Sequence, residues 1–203
     1  DYVDLTSDGT SNVMVVHASP DAPGVDLLVD EQVAGTNLLF PANTDYLSVS
    51  GGMRNVKVNV TGTSTTVIEA DLTLEKDAHY TIFAANAVAN IQPLVLADDL
   101  TMPAAGSAHV RFVHLSPDAP AVDITTTMGA VVFGNKSFQE YTAFTPLTAD
   151  TYDLQVRVAG SETVALELPG IVLEDGKIYT VFAKGFLGGT GDQALSAQII
   201  VNY

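Results

Sequence analysis

The chain has 203 residues, a formal net charge of −16 from 24 acidic and 8 basic side chains, no cysteine, and hydrophobic residues at 47% of positions. A field that acidic repels phosphate backbones and anionic headgroups, which makes nucleic acid a poor partner and disfavours anionic membrane surfaces. Without cysteine there is no disulfide scaffold, thiol catalysis or thiolate zinc site, and no apolar run approaches the roughly 18–20 residues that span a bilayer.

Sixteen glycines and nine prolines are scattered at turn-like spacings among Val, Ile, Leu, Thr and Tyr, a composition of many short strands. Residues 1–10 are expected to be an N-terminal tail. Val13, Val15 and His17 then alternate against Asn12, Met14 and Val16, the period of a half-buried strand. The phrase HASPDAPGVD (17–26) leads into a second alternating run at Val25, Leu27 and Val29. Runs at Val56-Val58-Val60 and Tyr80-Thr81-Ile82-Phe83-Ala84 complete a first repeat over 11–98. The Pro and small residues of 99–107 predict a short linker. A second repeat over 108–203 opens on Val110, Phe112 and His114 and restates the phrase as HLSPDAPAVD (114–123). It continues through Val122/Ile124, Leu154-Val156-Val158, Val164-Leu166-Leu168 and Tyr179-Thr180-Val181-Phe182-Ala183 to a terminal strand at Ala197–Tyr203.

The offset between matching residues drifts only from 97 at the phrase to 99 at the two Tyr-Thr strands, as expected of a duplicated domain with small insertions in turns. Roughly seven or eight strands per copy, with no sustained 3.6-residue period, predict an all-β protein of two tandem immunoglobulin-like antiparallel β-sandwich domains. Tyr80 and Tyr179, at the entry of a strong strand, fit a tyrosine corner that pins a loop through its hydroxyl.

HxSPDAPxVD at the head of each copy, V-x-V-x-G in the middle and a Tyr-Thr-hydrophobic-Phe-Ala strand near the end resemble the prokaryotic family known as domain of unknown function 4397. The resemblance covers nearly the whole chain, twice over. It implies an exported or cell-surface β-sandwich, often in tandem, and it brings no catalytic residues with it. The start at Asp1, without Met, fits a trimmed export signal.

The repeated phrase contains residue types that do chemistry. Ser19 and His17 share a pleat parity, but Ser19 precedes a proline and no Gly-x-Ser-x-Gly elbow surrounds it, so a nucleophilic serine is not expected. His17, Asp21 and Asp26, repeated as His114, Asp118 and Asp123, offer one nitrogen and two carboxylates to a divalent cation such as calcium, yet their spacing matches no standard calcium loop. A structural role accounts for more. Pro20 and Pro23 fix φ near −65° and push their neighbours into extended geometry. Asp21 is expected to accept bonds from the backbone N–H groups that follow it, and each histidine to bond within its own turn.

The loop after the Tyr-Thr strand differs most between copies, Asn86–Asn90 against Lys184–Asp192. Phe186, Leu187 and Asp192 in its glycine-rich second version are the binding-loop candidates; Phe186 and Leu187 would serve equally as a plug between domains. The absence of Trp weighs against a sugar-stacking platform. The expected protein is non-enzymatic, exported to the periplasm, cell surface or extracellular space, without a catalytic residue or cofactor. It acts in adhesion, structure or assembly on a protein or surface polymer, with self-association through edge strands. The alternative is a glycan- or cation-binding module that uses its loop ends, and a hydrolase is third.

Overall fold

The computed structural model describes residues 9–203; most of the expected tail lies outside them. The chain divides between Asp99 and Leu100 into two compact units. The first holds strands β1 (Thr10–His17), β2 (Val25–Val29), β3 (Gln32–Leu38), β4 (Leu47–Ser50), β5 (Gly52–Val60), β6 (Thr66–Leu74), β7 (His79–Ala85) and β8 (Gln92–Ala97). The second holds β9 (Ser107–His114), β10 (Val122–Thr126), β11 (Val131–Lys136), β12 (Thr145–Thr148), β13 (Asp150–Val158), β14 (Val164–Leu173), β15 (Ile178–Lys184) and β16 (Ser196–Val201). The protein is all-β; the only helical elements among the described residues are single 3-10 turns at Val88–Asn90 and Gly191–Gln193.

Each unit is two four-stranded sheets, ordered β4-β1-β7-β8 and β3-β2-β5-β6 in the first and β12-β9-β15-β16 and β11-β10-β13-β14 in the second. The two orders are the same strand for strand. Inward side chains of both sheets meet in one core per unit. Val13 and Val15 face Val25, Leu27, Val56, Val58 and Ile68 in the first; Val110 and Phe112 face Val122, Ile124, Val156 and Leu168 in the second. Alternation along each strand is what places these residues on one face, and burying that face is the main stabilising term.

Two details depart from the sequence reading. An immunoglobulin sheet keeps its first and second strands side by side. Here β1 and β2 lie in different sheets, so the strand count matches that fold but the order does not. The pairing is also not wholly antiparallel. β1 runs parallel to β7, from Asn12↔His79 to His17↔Ala84, and β9 runs parallel to β15, from His109↔Ile178 to His114↔Ala183. The first departure has a physical reason: the proline-bearing phrase cannot close a hairpin ladder, because proline lacks the N–H that a ladder needs. It carries the chain across to the opposite sheet instead. Between β8 and β9 lie the nine residues 98–106.

The tyrosine corners form in both units. Tyr80 and Tyr179 accept through their hydroxyls from the backbone N–H of Glu75 (3.1 Å) and Glu174 (3.0 Å).

Phe112 is 1% exposed at the centre of the second core. Phe112→Ala should destabilise that unit by about 3–5 kcal/mol in denaturant unfolding. A loss under about 1 kcal/mol would mean the two sheets do not pack as described.

Candidate functional site

β1 and β9 end on His17 and His114, both fully buried on the core side of the strand. The backbone there is tied down first. His17 N–H donates to Ala42 O (3.0 Å) and Ala18 N–H to Ala84 O (2.8 Å); His114 and Leu115 donate likewise to Glu140 O (3.0 Å) and Ala183 O (2.9 Å). Each imidazole then spans the phrase that follows it. Nε2 of His17 lies 2.8 Å from Pro23 O, and Nδ1 accepts from Ser19 N–H at 3.3 Å. His114 repeats this with Pro120 O (2.9 Å) and Ser116 N–H (3.3 Å). Because Nδ1 accepts, it carries no proton; Nε2 therefore carries it and donates to the carbonyl. The neutral ring is the form that fits, and burial holds both pKa values below the ordinary 6.5 against the raising effect of the proline carbonyls.

The phrase thus forms an arch between the sheets, clamped across its base by its own histidine. That was the role expected of the histidines. The aspartates do something the sequence did not reveal. Asp21 Oδ1 accepts from Val88 N–H (2.8 Å) and Asp118 Oδ1 from Leu187 N–H (2.7 Å). Neither makes the local turn bond expected of it: each reaches the loop between the last two strands of its unit. Asp26 Oδ1 accepts from Asn37 N–H (2.7 Å) and Thr61 Oγ (3.0 Å), and its Oδ2 from Gly62 N–H (3.2 Å). Asp123 does the same with Asn135 N–H (2.7 Å) and Gly160 N–H (2.9 Å). One carboxylate therefore holds two turns, and the Asn37 N–H keeps Asp26 below the usual carboxylate range. Asn37 and Asn135 both sit at φ 51°, a left-handed conformation that asparagine tolerates better than most residues. In the sequence, the recurrence of an Asn 11 or 12 residues after the second Asp of each phrase was the signal that could have exposed these bonds.

The chemistry-bearing residues do not gather into one site. Both ring nitrogens of His17 and His114 face backbone groups, and the two aspartates of each phrase serve different loops. No group of three His, Cys, Asp or Glu side chains close enough to share an ion occurs among the described residues. The serine contributes its N–H, not its hydroxyl, to the histidine. Ser116 Oγ donates to Gly185 O (2.6 Å), while Ser19 Oγ, equally buried, has no partner among the described residues.

The binding-loop candidates lie in a built loop. Phe186 N–H donates to Gln193 O (2.7 Å) and Leu195 N–H to Phe186 O (2.9 Å). Gly185 and Gly189 are required there, since a Cβ would fall 2.2 Å from Ala194 O and 2.3 Å from Gln193 O. Leu187 is 50% exposed, Phe186 is half-buried, and Asp192 is exposed in the 3-10 turn. Asp192 lends negative potential to Lys184, whose pKa burial lowers.

A family model described as a domain of unknown function (DUF4397) matches residues 11–125, more than half of the chain. The chain belongs to this family. The matched stretch runs from Ser11 in β1 to Thr125 in β10 and so takes in both arches of this DUF4397 chain. A search of curated proteins returns no match.

The arch histidines predict a specific pH dependence. Since folding depresses their pKa, their contribution to stability is complete above about pH 6.5 and falls as the pH drops toward the lower folded-state value. Thermal melts taken downward from neutral pH should lose melting temperature. His17→Ala should cost about 2–4 kcal/mol, through the unpaired Ser19 N–H and the space left behind. An unchanged melt for His17→Ala would refute the clamp.

Proposed function

We propose that the chain is a non-catalytic module of two DUF4397 domains, exported and displayed at the cell surface or in the extracellular space, where it serves adhesion, structure or assembly. The observation that carries this reading is the use made of the repeated phrase. Its histidine, serine and two aspartates are each committed to backbone groups, the same way in both units, apart from the serine hydroxyl. A histidine with both ring nitrogens hydrogen-bonded is not free to serve as base or ligand. Twice-repeated scaffolding of this kind favours a rigid spacer or building block.

Self-association has a suitable element. β16 is the outer strand of its sheet; Ile199 and Val201 on it, and Tyr203 just beyond its end, are 36%, 56% and 56% exposed. An apolar outer strand is a template for strand addition by another chain. The acidic surface, at −16, keeps such a protein soluble until a specific edge contact forms.

Fractionation of producing cells, joined to light scattering of the purified chain, tests the proposal. The chain should appear in the envelope or medium and associate in solution, and Val201→Lys should reduce that association. Recovery in the cytoplasm as a strict monomer would overturn it.

A further inference from the structure

The two units share a frame but fill it differently, and the difference leaves one large cavity. In the second unit a space of about 230 Å³ lies at the arch end, lined by His114, Pro120, Val156, Val158, Ala165 and Leu195, with Leu187 among its walls. Two other cavities, among the described residues, measure about 40 and 20 Å³ and hold at most a water molecule or so.

Register identifies what closes the corresponding space in the first unit. Val58 pairs with Ile68 in β5 and β6, and Val156 with Leu166 in β13 and β14, so Ala165 stands where the first unit has Val67. Val67 and Ile91 both pack against the first core. In the second unit the side chain at that position shrinks to a methyl group. The connection that covers it grows from six residues (86–91) to eleven (185–195).

The walls dictate the occupant. Water filling such a volume needs two to four polar partners per molecule. His114 cannot supply them, because both its nitrogens are engaged with Pro120 O and Ser116 N–H. The only other polar side chain in the lining is Thr163, which is exposed. A charged or strongly polar ligand would lose its hydration there without compensation. A dry apolar cavity of about 150 Å³ is already large enough to admit benzene. The walls are also set in advance. Asp118 fixes Leu187 through its N–H (2.7 Å), and Gly185 and Gly189 hold the loop in a shape no other residue permits. An apolar occupant would, in addition, cover part of the half-exposed Leu187.

We infer that the cavity between the arch and the 185–195 loop of the second unit is a binding site for a small neutral apolar molecule, one aromatic ring or a short branched alkyl chain in size. The first unit, with Val67 in place, does not share it. The site is independent of where the protein resides and of whether it self-associates.

The test uses the full chain with benzene as probe, followed by methyl NMR and by thermal melting. Saturable shifts should appear at Ala165, Val156, Leu187 and Leu195, but not at Val67 or Ile91, and the melting temperature should rise with benzene. Ala165→Leu, which fills the space, should weaken binding about tenfold or more. Ala165→Val, which copies the first unit, gives the same reading more gently if the larger side chain prevents folding. No saturable shift, or shifts of equal affinity in wild type and in whichever filled variant folds, would overturn the proposal.

Discussion

The bond from a buried histidine Nε2 to a proline carbonyl six residues on, 2.8 Å in one unit and 2.9 Å in the other, is the constraint on which the remaining structure hangs. β1 and β9 are central strands, paired on both sides, and each must hand the chain to the opposite sheet without unravelling its own end. Two prolines make the crossing stiff but deprive it of backbone donors. The imidazole replaces them, accepting from a serine N–H on one side and donating to the proline carbonyl on the other. Once the arch is fixed, its first aspartate can reach the loop after β7 or β15 and its second can hold the turns around Asn37 and Gly62, or Asn135 and Gly160. Three separate segments per repeat thus take their position from one ten-residue phrase.

The strands themselves were plain in the amino-acid pattern. Val13/Val15, Val25/Leu27 and Val56/Val58 alternate as half-buried strands do, and the two tyrosines announced their corners by position. The pairing order was not visible. Strand count and alternation are local properties, whereas the choice between a hairpin and a crossing depends on which sheet the next strand joins. The prolines of the phrase carried that information, but only with the histidine's acceptor known do they say where the chain goes. The aspartates were harder still, because Asp21 and Val88, or Asp118 and Leu187, are far apart in sequence and the acceptors' partners are backbone N–H groups, which no residue type marks. Chemistry-bearing side chains set close together in sequence offered a metal or nucleophilic site as an alternative to the structural role; folding sends them to different loops.

Duplication kept the frame and released the interior. Where the first unit has Val15 and Gly35, the second has Phe112 and Phe133 on equivalent ladder positions, and the small void of about 40 Å³ beside Val15 and Gly35 reflects that exchange. At the arch end the trade runs the other way, with Ala165 in place of Val67. Core volume is therefore redistributed along the sandwich, while every arch and clamp is retained. A scaffold whose turns are fixed by backbone hydrogen bonds tolerates such repacking, because the positions of its strands do not depend on any one apolar side chain.

The central claim is the tautomer and bonding of the arch histidines, and nitrogen-15 NMR of the imidazole rings reads it directly. Near neutral pH, His17 and His114 should show a protonated Nε2 and an unprotonated, accepting Nδ1, and both rings should stay neutral below the ordinary pKa of 6.5. A proton on Nδ1 in the neutral ring, or titration at the value of an exposed histidine, would contradict the account.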